Sequence, residues 1–153
     1  MKTIRSLFAQ TFTAISSGDG AIGNLIECHM GCLINSSKKA DLGFWELKSK
    51  NIASNSKITL GSVGMKGSLD YLINNCEDKM NNTILVWYSK VGNTATVQYI
   101  DICYGFNKNL YRSNIGKLIK VESRSNGEKS LRIAKGYFGS MYDKVTRIYP
   151  PKN

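Results

Sequence analysis

The spacing of apolar positions changes near residue 40. Before it, Ile4, Leu7, Phe8, Phe12 and Ile15 recur at three- and four-residue intervals and predict an amphipathic helix over residues 3–16. The run SSGDG at 16–20 breaks that pattern, and Asp19 stands where it would cap a second helix from Ala21 to Cys32. After Ala40 the apolar blocks shorten. LGFWELKS, SKITLGS, TILVWYSK, TATVQYIDICYG, IGKLIKVES and KSLRIAKG are β-branched and aromatic runs bounded by turn residues, and they predict five or six strands. VGNT at 91–94 reads as a hairpin turn, because Gly92-Asn93 would supply positive φ angles. Short helices around 69–75 and 107–112 interrupt the strands, and YPPKN reads as a frayed end. The expectation is one domain over residues 1–153, helical over 1–33 and sheet-rich over 40–149. Its class is α/β, with a mixed central β-sheet flanked by helices.

Charge narrows the function. With 21 Lys and Arg against 11 Asp and Glu, the 153-residue chain carries +10 at neutral pH, which points to a polyanionic partner. No apolar run reaches the roughly 18 residues that span a bilayer, so no membrane association is expected. Arg5, Gln10, Thr11 and Thr13 interrupt any signal-type apolar stretch at the N-terminus. Four scattered cysteines, Cys28, Cys32, Cys76 and Cys103, do not make a disulfide framework and suit free thiols in a reducing cytoplasm. Cys28, His29 and Cys32 lie close together, but a single His and no second pair of ligands argue against zinc.

The chemistry gathers in DLGFWELKSK, residues 41–50. In a strand, Glu46 and Lys48 share one face while Trp45 and Leu47 point to the other. Gly43 would permit a bend that returns Asp41 toward Glu46. Two carboxylates and an ammonium then converge, a combination suited to divalent-metal hydrolysis of a phosphodiester. An ion pair on a solvated strand edge would give the same pattern. On the preceding helix, Gly20, Gly23, Asn24, Glu27 and Gly31 form one stripe and Ile22, Leu25, Ile26 and Leu33 a mostly apolar one. Glycines within a helix cost about 1 kcal/mol each relative to alanine, so small residues beside Glu27 suggest close approach by another backbone.

GDGAIGNLIECHMG followed by DLGFWELK resembles the PD-(D/E)XK nuclease core: a helix bearing Glu, then Asp, four residues, and Glu-x-Lys. Within that superfamily it is most similar to the MvaI/BcnI-type restriction endonucleases and, more distantly, to MutH-like nicking enzymes, over about residues 18–62. The resemblance implies a Mg²⁺-dependent endonuclease of restriction type acting on double-stranded DNA, with Mn²⁺ as a substitute ion. It implies Asp41 and Glu46 as metal ligands with the Leu47 carbonyl, Lys48 beside the attacking water, and Glu27 as an auxiliary acid. A cognate DNA methyltransferase would be the functional partner, and the chain would act as a monomer or homodimer. Two alternatives stay open: a nicking or structure-selective nuclease of the same superfamily, and a non-catalytic DNA-binding module.

Phosphate contacts are expected from the loops flanking the strand, at Asn51, Ser54, Asn55, Ser56, Lys57 and Lys66. Farther on, Tyr104, Phe106, Tyr111, Tyr137, Phe138 and Tyr142 interleave with Lys108, Arg112, Lys117, Arg132, Lys135 and Lys144. Base reading is expected from these segments, with Lys108, Arg112 and Lys135 as DNA contacts, although rings at this density also build cores.

Overall fold

A computed structural model of the chain describes residues 3–15, 20–31 and 45–152. After a 3-10 helix at Ile4–Ala9 come β1 (Thr11–Thr13), α1 (Ala21–Met30), β2 (Trp45–Asn51), β3 (Ile58–Val63) and α2 (Leu69–Lys79). There follow β4 (Asn82–Val91), β5 (Thr94–Phe106), α3 (Lys108–Ser113), β6 (Ile119–Ser123) and β7 (Lys129–Ile133). A second 3-10 helix at Lys135–Met141 leads into β8 (Tyr142–Ile148).

The larger sheet runs β1-β5-β4-β2, with β8 pairing the C-terminal half of β5. Its β2–β4 pair is parallel and its other pairs are antiparallel, so the sheet is mixed, as expected. A parallel pair needs a crossover, and here that crossover consists of β3 and α2. Strand β3 joins β7 and β6 in a smaller antiparallel sheet.

Sequence alternation on β4 and β5 explains the layering. Ile84, Val86, Ile100 and Ile102 face α1 and the N-terminal 3-10 helix, packing with Leu7, Phe12, Ile22 and Ile26. Leu85, Trp87 and Cys103 face the other way, into a core shared with Leu60 and Leu131 of the small sheet and Leu72 and Cys76 of α2. A strand covered on both sides reads as a continuous apolar run, and TILVW on β4 is such a run.

Four expectations change. Residues 3–16 do not form one helix: Thr11 and Thr13 are β-branched, and Phe12 between them is buried while β1 pairs with β5. Ile15, expected on the buried face, is exposed. Eight strands occur among the described residues rather than five or six. β8 escapes the pattern because its five central residues are exposed. The 91–94 hairpin forms as expected, but positive φ is confined to Gly92, the signature of a type II′ turn. Asp19, proposed as a cap, lies outside the described residues, and the N-cap of α1 is Gly20.

Candidate active site

Strand β2 carries the expected division of faces. Leu47 is buried against α1. Glu46, Lys48 and Lys50 are the opposite set, in register with Thr83, Leu85 and Trp87 of β4. Glu46 is 3% exposed, so its charge is almost wholly removed from water. Such burial requires counter-charge. Lys48 supplies one ammonium, 3.7 Å from Glu46 Oε2, and Lys79 from the last turn of α2 supplies another, 3.4 Å from the same oxygen. Lys48 also donates to the Thr59 carbonyl of β3 at 2.8 Å, which ties the strand to the small sheet.

Two glycines allow the flanking helices to come close. On α1, a Cβ built at Gly23 would stand 3.0 Å from Ser49 Oγ of β2. Gly20 and Gly31 have open space where a Cβ would lie and hold positive φ at the two ends of the helix. The small-residue stripe therefore divides into one packing glycine and two caps. On β3, a Cβ at Gly61 would fall 2.5 Å from Cys76 Sγ, so α2 packs directly on this backbone and brings Lys79 within reach of Glu46.

Gly23 also sets where Glu27 lies, one turn farther along α1. The Glu27 carboxyl is held above its usual range, first by burial and then by the charge of Glu46, with Lys48 pulling the other way. A carboxylate strained by a like charge is relieved by a cation placed between them. Hard oxygen donors of this kind suit a Mg²⁺-type ion. The third acid expected there, Asp41, lies outside the described residues, as does Gly43. Among the described residues no group of three or more His, Cys, Asp or Glu side chains forms a metal cluster. Cys28 is exposed, Cys76 and Cys103 are buried, none of the three is in a disulfide, and Cys32 is outside the described residues. Burial and the neighbouring Asp101 push the Cys103 thiol up to about 12.

Beside the cluster opens a cleft of about 490 Å³. Its described lining runs from the N-cap Gly20 and Gly23, Asn24 and Glu27 of α1, across Lys48, Ser49, Lys50 and Asn51 of β2, to Lys57 and Thr59, with Lys90 and Arg132 from other strands. Glu46 is not part of this lining, but its partner Lys48 is. Five of these side chains, Lys48, Lys50, Lys57, Lys90 and Arg132, are cationic against the acid Glu27. The cleft therefore attracts anions. The first turn of α1 faces it as well and adds the positive end of the helix dipole. Lys50, also buried, donates to Ser54 and Ser56, the latter at 2.5 Å.

The expected DNA contacts are spread more widely. Asn51, Ser54, Ser56 and Lys57 line the cleft, and Asn55 is exposed on the same loop. Lys66 is exposed on the turn after β3. Lys108 is exposed on α3, and Arg112 there is engaged by Glu77 at 2.6 Å and Asn74 at 2.6 Å. Lys135 donates to the Ile52 carbonyl and lines a separate cavity of about 440 Å³ with Trp87, Asp101 and Arg147. Of the interleaved aromatics, Phe106, Tyr111, Phe138 and Tyr142 are core residues, whereas Tyr104 and Tyr137 are exposed. Sequence reasoning missed Lys79. Its signal was present: Leu72, Cys76 and Lys79 share one face of α2 by helical spacing.

A model of the MvaI/BcnI restriction endonuclease family matches residues 1–79, the segment that holds Glu27, Glu46, Lys48 and Lys79. Among solved structures, the chain is similar to one described as "Restriction endonuclease MvaI-cognate DNA substrate complex", with a TM-score of 0.70 and 11% identity. That match covers 92% of this chain and 93% of the other. At this identity the likeness is one of fold. Comparison with curated proteins gives no match. No helix of the described residues is long and apolar enough to cross a membrane.

Proposed function

We propose, because the chain belongs to the MvaI/BcnI restriction endonuclease family, that it hydrolyses phosphodiester bonds of double-stranded DNA in a Mg²⁺-dependent reaction of type II-like restriction. The observation that carries this reading is Glu46, a carboxylate withdrawn from water between Lys48 and Lys79, beside a cationic cleft. An isolated ion pair on a solvated strand edge would not need such burial.

Asp41, Glu46 and the main-chain carbonyl of Leu47 would hold the ion, with Glu27 as the auxiliary acid and Mn²⁺ able to replace Mg²⁺. When bound, such an ion supplies Lewis-acid polarisation and a more acidic water. The chain's own residues do the rest. Lys48, steadied by the Thr59 carbonyl, offers an ammonium to the attacking water and to charge developing on the phosphate. Asn51, Ser54, Asn55, Ser56 and Lys57 hold the strand by its phosphates, and Lys66, Lys108 and Lys135 add outlying cations. Arg112 joins them by exchanging Glu77 for a phosphate. A restriction activity requires protection of the host's own sites, so a cognate DNA methyltransferase is the functional partner. One such site per chain means that a monomer cuts one strand at a time, whereas a two-fold homodimer cuts both.

The test is incubation of supercoiled plasmid with the full chain, with Mg²⁺ and with EDTA. Cleavage in Mg²⁺, its loss in EDTA, and its loss in Glu46→Gln and Lys48→Met are expected. Cleavage retained by both variants overturns the assignment. Open circles without linear product would select the nicking alternative, and retardation of DNA without cutting would select the non-catalytic one.

A further inference from the structure

Arg132 lies on the wall of the cleft, on β7 of the small sheet, in register with Thr59 on one side and Lys120 on the other. Three interactions fix its surroundings. Its terminal nitrogens donate to the Lys57 carbonyl at 3.1 Å and to Glu122 Oε1 at 3.3 Å, and the Lys57 ammonium stands 3.4 Å from Glu122 Oε2. A single carboxylate thus holds two cations, one on each oxygen. Both cations belong to the cleft lining, while Glu122, on β6, does not. Arg132 Nε is shielded from water and has no hydrogen-bond partner. It is the one such side-chain atom among the described residues, and a water, an ion or a ligand can satisfy a buried donor of this kind.

The arrangement has the form of an anion site with a stand-in anion. Two cations grouped around the two oxygens of a carboxylate are grouped equally well for the two unesterified oxygens of a phosphodiester, and guanidinium groups favour that planar, two-point contact. We propose that Arg132 and Lys57 form an anchor for a backbone phosphate of a DNA strand lying in the cleft. Glu122 is its built-in counter-ion: it keeps both cations in place in the free protein and gives them up to the phosphate. This rests on the nuclease reading above and adds to it a site away from the Glu46 cluster. Arg132 and Lys57 contact a phosphate, and Glu122 acts through them as a positioning residue.

The test measures binding of the full chain to a fluorescent DNA duplex across a series of salt concentrations, in EDTA so that no cutting intervenes. Arg132→Gln should weaken binding and reduce the slope of log affinity against log salt by about one. Lys120→Gln, which removes an equal charge from the neighbouring exposed position, should leave the slope closer to that of wild type. Glu122→Gln should tighten binding, and that gain should vanish in the Arg132→Gln/Glu122→Gln double variant. A thermal melt reports folding of each variant. Should Arg132→Gln fail to fold, Glu122→Gln with and without Lys57→Gln decides the matter in the same way. Wild-type binding and cleavage, with Arg132→Gln indistinguishable from Lys120→Gln or with Glu122→Gln no tighter than wild type, overturns the anchor and leaves the nuclease reading intact. Failure of wild type to bind the duplex overturns the anchor, and it overturns the nuclease reading as well only when plasmid is not cut in Mg²⁺.

Discussion

Lys79 Nζ stands 3.4 Å from Glu46 Oε2, joining the last turn of α2 to the acid on β2. The two side chains are 15% and 4% exposed, so the pair is sheltered from solvent screening. Lys48 approaches the same oxygen at 3.7 Å from within the strand, but it divides its ammonium with the Thr59 carbonyl. Removing Lys79 therefore leaves Glu46 buried with a part share of one cation. Removing one partner of a buried ion pair costs about 3–5 kcal/mol, and Lys48, still beside Glu46, holds the loss to the lower end of that range. Lys79→Met should lower the urea midpoint by the corresponding amount, and Lys79→Arg should keep most of the stability. In the Lys79→Met/Glu46→Gln double variant the loss should shrink, because a neutral amide needs no counter-charge. Strictly additive effects of the two changes would show that the pair does not interact.

Glu27 gives a pH dependence with a definite sign. Its carboxyl is held above its ordinary value of 4.5 in the folded chain by burial, and then by Glu46. The unfolded chain loses that proton more readily. Glu27 therefore contributes stability that is present below pH 4.5 and is lost as pH rises through its folded value. Glu27→Gln removes a group that is unfavourable when charged, so the variant should melt at a higher temperature than wild type at neutral pH. Its advantage should fade as pH falls below the ordinary carboxylate range. Melting curves of both proteins across that interval check it, and a difference independent of pH would refute the coupling.

The sequence made β2 legible because alternation in a strand is local: Trp45 and Leu47 against Glu46 and Lys48 needs no knowledge of neighbours. The glycine stripe of α1 was legible in part. Spacing alone does not distinguish Gly23, which meets Ser49, from Gly20 and Gly31, which end the helix at positive φ. The N-terminal segment misled because Leu7 and Phe12 are indeed buried, on a 3-10 helix and on a strand rather than on one continuous helix. The interleaved rings misled for another reason. Phe106 packs on both Tyr111 and Tyr142, with ring centres 5.1 and 5.2 Å apart, where α3 and β8 return to the sheet. A charged or aromatic residue advertises its chemistry in the sequence, but the tertiary partner that decides its use does not appear there. Lys79 acquires its role from Glu46 on β2, and Arg132 from the Lys57 carbonyl just before β3, both remote in the chain.

Gly61 is where the fold and the candidate site depend on the same atom. It follows a break in the β3–β7 register between Thr59 and Gly61, and its missing side chain leaves room for α2. A Cβ there would lie 2.5 Å from Cys76 Sγ and 3.6 Å from both Leu72 Cδ1 and Lys79 Nζ. The latter two are ordinary contacts, so the sulfur is the obstacle. Cys76 is wholly buried, which limits its room to turn aside. Gly61→Ala should cost about 1–3 kcal/mol, the usual cost of overpacking a filled core, read from the urea midpoint. Displacing α2 also carries Lys79 away from Glu46, since Lys79 follows Cys76 by one turn. The variant should therefore lose plasmid cleavage beyond what its unfolded fraction explains. Gly61→Ala/Cys76→Ala exchanges the thiol for the new methyl at nearly constant volume, and Tyr111 keeps its 2.8 Å bond to the Ile73 carbonyl. The double variant should recover much of both the stability and the cleavage. If it is no better than Gly61→Ala alone, contact with the sulfur is not what sets the distance between α2 and β3.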